Sequence, residues 1–266
     1  MSPLASQPPA GQPEQWIAKI PLSNGLSFYL PSQTMHGAAR FLITEIFRKH
    51  RYAHPGFELR PTDTVVDVGA NMGLFTLWAA PQVPQGCVLA IEPTNVIDCL
   101  KMNVRLNSLL NVIPLKTAVG GVQQSMGFVE YPGFNIVTHQ VGIRPALVTR
   151  LLICLLYRRY RQEPVRATVA CEPLAKILDE AHLDVVNLLK MDCEGGEYEI
   201  FRSLPQEYWH RIERVALEFH ELRKDQRHSE LVHCLKKAGF EVEVRRRLFD
   251  YYFLRYGEIW ARSRRL

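Results

Sequence analysis

Residues 65–76 read Val-Val-Asp-Val-Gly-Ala-Asn-Met-Gly-Leu-Phe-Thr, a β-branched apolar run that passes through two glycines into a helical stretch. A run of this kind suits a strand covered on both faces, as in a parallel sheet. Gly69 and Gly73 let the backbone turn sharply and approach a ligand, and a helix start presents free N–H groups. Strand, glycine turn and helix together are the start of a cofactor cradle in a doubly wound α/β sheet, but the pattern is common and by itself leaves a nucleotide-type site open. A dinucleotide fingerprint needs glycine two and five residues after Gly69, where Asn71 and Leu74 stand, and no Gly-Lys-Ser/Thr follows. NAD and nucleoside triphosphates are therefore disfavoured.

The rest of the chain alternates in the same way. Ile17 to Leu30 reads as a β-hairpin around Asn24-Gly25, and the apolar spacing from His36 to Arg51 predicts a helix broken at His54-Pro55-Gly56. Strands over 64–68, 87–91 and 111–115 enclose helices over 73–80 and 95–107, a β-α-β-α-β half-unit. Gly121 to His139 reads as a looser hairpin, 166–170 as a strand and 172–180 as a helix. Strand 185–191, helix 195–203, strand 214–219 and helix 229–238 follow. The strands 242–246 and 257–261 are too close in sequence for a parallel crossover, so an antiparallel edge pair is expected. The domain reading is a disordered tail at 1–15, a ribbon and helix at 16–60 and one α/β domain at 61–266.

Candidate site residues fall at strand ends. Glu92 lies 23 residues after Gly69, where a carboxylate accepts hydrogen bonds from ribose hydroxyls. Asn103 and Asn107 share a helix face, and the small residues Thr117 to Gly120, Ala118 among them, leave room for a flat ring. Asp192 projects from the carboxyl end of its strand, while Glu197 reads as a helix-terminal acid. Glu218 and His220 point to one side by strand alternation; His220 is a candidate general base, with a hydrogen-bonded edge residue as the other reading. Asp192, Glu218 and His220 offer donors for Mg²⁺, but they follow no spacing rule and a required metal is not expected.

Asp67-Val68-Gly69-Ala70-Asn71-x-Gly73-x-Phe75-Thr76, Glu92-Pro93, the Asn103/Asn107 pair and Lys190-Met191-Asp192-Cys193-Glu194-Gly195-Gly196-Glu197 resemble the FkbM-type methyltransferases over roughly residues 50–262. The resemblance implies a Rossmann-like class I methyltransferase sheet, mostly parallel with an antiparallel last strand, and S-adenosyl-L-methionine as cofactor. It implies transfer of a methyl group to a hydroxyl of a small molecule or sugar. The cofactor residues that follow are Asp67, Gly69, Asn71, Gly73, Phe75, Thr76, Glu92, Asn103, Ala118 and Asp192, and the catalytic candidates, named from their strand-end positions, are Asp192, Glu218 and His220. Cys193 and Gly196 depart from the Val or Ile and the Ala more usual there. N-methylation, protein methylation and a non-catalytic interaction module are the alternatives; intact Gly69, Gly73 and Glu92 argue against the module.

Charge and cysteine usage bound the partners. Six arginines against Glu163 mark a basic amphipathic insertion at 141–166, and seven arginines against Asp250 and Glu258 mark the stretch 244–266, on an otherwise acidic chain. The first reads as a helix that packs on its domain, lies over the site or makes weak contact with an anionic membrane surface. Nucleic acid is not the expected partner, and no oligomeric state is assigned. Phe128, Tyr131 and Phe134 are candidates for an acceptor wall. Six cysteines without CxxC pairs, no secretory signal and no apolar run of membrane-spanning length give the expectation of a cytoplasmic protein.

Overall fold

The computed structural model describes residues 16–31, 36–130, 139–140, 164–246 and 255–265. The tail 1–15, the insertion up to residue 163, Tyr131 and Phe134 lie outside them, and so do the expectations placed there.

The Asn24-Gly25 hairpin forms as read, with β1 (Trp16–Pro21) antiparallel to β2 (Ser27–Pro31). Helix α1 (His36–Ile43) stops earlier than its periodicity predicts and widens into a π-helical turn, Thr44–Arg48, in which Glu45, Ile46 and Phe47 are all buried. Three consecutive inward residues do not fit one stripe of a regular α-helix, and the wider turn accommodates them.

The central sheet is built from β3 (Thr64–Val68), β4 (Cys87–Ile91), β5 (Val112–Leu115), β10 (Leu188–Met191), β11 (Arg214–His220), β12 (Phe240–Arg245) and β13 (Tyr256–Ser263). Its strand order is β12-β13-β11-β10-β3-β4-β5. The five strands from β11 to β5 run parallel. The last strand in the chain, β13, enters antiparallel between β11 and β12; the antiparallel pair exists, but only β12 is at the edge.

Strand alternation divides the core between the two faces. Val65, Val88 and Leu188 pack with α1, α2 (Leu74–Ala79) and the ribbon. Val66, Leu89 and Leu189 pack on the other face with α4 (Leu174–Glu180), α5 (Glu197–Ser203), α6 (Gln206–Trp209) and α7 (His228–Lys237), while α3 (Ile97–Leu106) joins the ribbon side.

A second sheet was not legible from the chain. Ala118–Gly120, read as a bed of small residues, forms β6 and pairs in parallel with β9 (Val165–Pro173). β9 also pairs antiparallel with β7 (Gln124–Glu130), and β7 with β8 (His139–Gln140), so the predicted strand at 166–170 belongs to this sheet. Chain order proceeds from β3 outward through β4 and β5, then returns to the opposite side of β3 as β10. The ends of β3 and β10 thus flank a topological switch point, where open α/β sheets bind ligands. Among the described residues, no helix is long and apolar enough to cross a membrane.

Candidate active site

Gly69, Asn71 and Gly73 all adopt positive φ, +77°, +51° and +89°. A Cβ on Gly69 would run into the main-chain carbonyl of Asp192, so glycine lets β3 turn directly against the end of β10. The N–H groups of the turn are consumed by the turn itself and by the end of β4. Gly69 and Ala70 donate to the Ile91 carbonyl, both at 3.0 Å, and Gly73 donates to Ala70 at 2.9 Å. Asn71 N donates to Glu92 Oε2 at 3.0 Å and Met72 N to Asn71 Oδ1 at 2.8 Å. A phosphate would need such donors free; this turn fits a cofactor without phosphate at that point.

A cavity of about 280 Å³ opens beside the turn. Of the sequence-predicted cofactor residues, Gly69, Asn71, Phe75, Glu92, Ala118 and Asp192 line it. Glu92 is buried and holds both carboxylate oxygens in place, Oε2 through Asn71 N and Oε1 through Thr94 N at 3.0 Å and Thr94 Oγ1 at 2.6 Å. Burial pushes its pKa up, opposed by the Thr94 and Asn71 hydrogen bonds. Oε1 already accepts two hydrogen bonds, so the lone-pair capacity left for a hydroxyl donor is on Oε2.

Asp67, Gly73, Thr76 and Asn103 do not line the cavity. Asp67, fully buried, accepts from Thr76 Oγ1 at 2.7 Å and pairs with Lys190 Nζ at 2.9 Å. Lys190 also donates to the Gly69 carbonyl at 3.1 Å, so Asp67 and Thr76 brace the turn from behind. Despite burial, Asp67 and the neighbouring Tyr52 and Asp192 hold the Lys190 pKa above its ordinary value.

Asn103 has a different task. Its Oδ1 accepts from Tyr29 N at 2.7 Å and its Nδ2 donates to Tyr29 O at 3.3 Å, while Asn107 does the same with Ser27 at 2.8 and 2.7 Å. Four residues of helix rise about 6 Å and two residues of strand about 6.8 Å. Two asparagines one turn apart therefore match alternate residues of β2 and stand in for a neighbouring strand.

The catalytic candidates do converge: one donor atom each from Asp192, Glu218 and His220 lies within 4.8 Å of the others. Arg51 and Tyr52, which sequence reading left out, complete the group from the segment after the π-helical turn. Arg51 Nη2 is 2.9 Å from Glu218 Oε2, and Tyr52 Oη donates to Glu218 Oε1 at 3.4 Å. His220 Nδ1 faces the fully buried Glu197 at 3.6 Å, its Nε2 faces Glu194 at 3.8 Å, and its ring stacks on Tyr256. Glu197, read as a structural acid, also accepts from Cys193 N at 2.9 Å.

Burial, with the charge of Asp192, pushes the Glu218 pKa up to about 7 against the pull of Arg51 and His220. Burial acts to lower His220, but Glu194, Glu197 and Asp192 outweigh it and hold its pKa well above the ordinary value. These three acids therefore favour the protonated form of His220. Leu42, Ile46, Met126 and Phe128 give the cavity an apolar wall. The motif carried Lys190, but nothing local in the sequence signals Arg51 or Tyr52, whose contacts span the chain.

The family described as the methyltransferase FkbM domain matches residues 67–242. Methyltransferase 1 of Beauveria bassiana is 28% identical over 86% of this chain and 92% of its own. The 31-O-demethyl-FK506 methyltransferase FkbM of Streptomyces tacrolimicus is 31% identical over 77% of this chain and 83% of its own. Among solved structures, the methyltransferase FkbM of Methylobacillus flagellatus aligns with a TM-score of 0.49 at 12% identity, over 87% of this chain and 56% of that one.

Proposed function

Since the chain belongs to the FkbM methyltransferase family and its cofactor is S-adenosylmethionine, we propose that it methylates a hydroxyl of a small molecule, with Glu218 as the base. The observation that carries this reading is the gathering of Asp192, Glu218 and His220 within 4.8 Å, next to the Gly69 turn. The name of the Streptomyces relative, which specifies an O-methyl acceptor, and the apolar wall, which suits an acceptor with an apolar body, support it.

The cavity fits the cofactor: its acids, Glu92 and Asp192, suit ribose hydroxyls and positive charge, and its turn offers no phosphate cradle. When bound, S-adenosylmethionine supplies an electrophilic methyl on a sulfonium. Gly69, Asn71 and Glu92 hold the cofactor side, and Phe128 bounds the acceptor side. Glu218, with a pKa of about 7, is poised to take the hydroxyl proton near neutrality, with Asp192 as the neighbouring charge that helps to hold that pKa up. With the cofactor bound, its sulfonium methyl would be the group passed to the hydroxyl oxygen, giving a methyl ether and a neutral thioether, and the proton would stay on Glu218. The described cysteines are all free thiols, which supports a cytoplasmic setting.

The test is transfer of labelled methyl from S-adenosylmethionine to matched panels of hydroxyl- and amine-bearing acceptors, beside calorimetry with S-adenosylhomocysteine. Hydroxyl acceptors are expected to turn over; cofactor binding with turnover of amines alone would overturn the O-transfer assignment.

A further inference from the structure

Glu218 and Glu258 are directly opposed across the antiparallel β11–β13 pair. Like charges facing each other across a ladder destabilise it, and here Glu218 is also crowded by Asp192. Asp192, Glu218 and His220 are close enough to gather a cation, and one of the three, Glu218, already holds a guanidinium. Arg51 Nη2 lies 2.9 Å from Glu218 Oε2 and 2.9 Å from Glu258 Oε1, and its Nε donates to Glu258 Oε1 at 3.0 Å.

Local structure fixes its approach. Arg51 N donates to the Glu45 carbonyl at 3.0 Å across the π-helical turn, and His50 before it takes a positive φ. Tyr52 after it is buried edge-on against Phe75 and Trp260.

We propose that Arg51 is a positioning residue, the resident cation of the acceptor side, which bridges Glu218 and Glu258 and competes with any divalent metal for Glu218. This rests on Glu218 being the base. Through Arg51 the segment before the α/β domain becomes part of the active site, because the orientation and charge of the base depend on it. A planar fork can serve both carboxylates at once, which an ammonium cannot do with the same geometry.

The charged and titratable groups around Glu218 are Arg51 and Tyr52 from the N-terminal segment, Lys190, Asp192 and Glu194 from β10 and its end, His220 on its own strand, and Glu258 and Tyr256 on β13. Removing Arg51 leaves Glu218 facing Asp192 and Glu258 with less compensation, so its protonated form is favoured and its midpoint rises.

The experiment is a carboxyl ¹³C titration of the full chain with S-adenosylhomocysteine bound, Glu218 being assigned by the signal lost in Glu218→Gln. Arg51→Met should move the midpoint upward by about one pH unit or more, and methylguanidinium added to Arg51→Ala should draw it back. Arg51→Lys should fall between, and serves as the test if the other variants do not fold. Mn²⁺ should broaden the Glu218 signal in Arg51→Ala and leave the wild type unchanged. An unmoved midpoint in folded Arg51→Met, or Mn²⁺ broadening in the wild type, would overturn the proposal. No acceptor is involved, so a failure of hydroxyl methylation leaves this readout intact.

Discussion

On the cofactor side of the cavity, the N–H groups of the Gly69–Gly73 turn go to near neighbours, none beyond Ile91 and Glu92, and only the Gly69 carbonyl is reached from far along the chain, by Lys190. On the acceptor side, Glu218 meets Tyr52 from 166 residues away, and Arg51 reaches Glu258 across 207. The first region spends its backbone donors internally and holds one shape. The second is a balance of charges from separate segments, with carboxylates of Asp192, Glu194, Glu197 and Glu218 set around His220 and Arg51. A fold can keep the first while altering the second, which is how one cofactor reaction accommodates different acceptors.

The two regions touch at Gly69, so substitution there should break both. Gly69→Val adds a Cβ where the Asp192 carbonyl stands and imposes a positive φ on a β-branched residue. A loss of affinity for S-adenosylhomocysteine of at least about 100-fold, roughly 2.7 kcal/mol, is expected by calorimetry, or loss of the cooperative thermal transition. Near-normal binding would mean that β3 and β10 do not meet this closely. Glu218→Gln separates the regions from the acceptor side. Methyl transfer to hydroxyl acceptors should fall about 100-fold, while affinity for S-adenosylhomocysteine stays within about twofold; a parallel loss of affinity would place Glu218 in the cofactor cradle.

This contrast also explains what the chain disclosed. The strand at 64–68, the strand at 87–91, the positions of Gly69 and Glu92, and the reversed final strand rest on local pattern, and each was legible. Asp192, Glu218 and His220 could be named because strand ends are recognisable, but their protonation depends on neighbours brought by the fold. His220 shows this: a lone histidine at a strand end is read without its neighbours, whereas Glu194, Glu197 and Asp192, brought by the fold, favour its protonated form. Arg51 and Tyr52 were not legible, since neither motif nor periodicity links them to β11. The second sheet was missed because β6 is only three residues long and pairs with a strand far along the chain.

Glu92→Gln tests the cofactor side alone. The amide keeps one acceptor but turns an NH₂ toward Asn71 N or toward Thr94, and it loses the negative charge. S-adenosylhomocysteine affinity should weaken about tenfold, roughly 1.4 kcal/mol, with the Glu218 titration unchanged. An effect on that titration would show that the two sides are electrostatically coupled across the cavity.

Asn103 gives the smallest expected effect on the site and the clearest separation of fold from ligand. Its amide is fully buried, and it satisfies the Tyr29 N–H and carbonyl as a strand would, with a further hydrogen bond from Nδ2 to the Cys99 carbonyl at 3.0 Å. Asn103→Ala leaves the Tyr29 groups without their α3 partner, and a buried donor left unsatisfied costs about 1–3 kcal/mol. Thermal or denaturant unfolding should show that loss. Because Asn103 does not line the cavity, affinity for S-adenosylhomocysteine should change by less than about twofold, or 0.4 kcal/mol. Asn107→Ala, acting one turn along on Ser27, should give the same pattern, and the ribbon amides of Ser27 and Tyr29 should exchange hydrogen faster in the respective variants. If Asn103→Ala instead weakened cofactor binding tenfold with stability intact, the asparagine would be a cofactor residue after all, and the boundary of the cradle would have to be extended into α3.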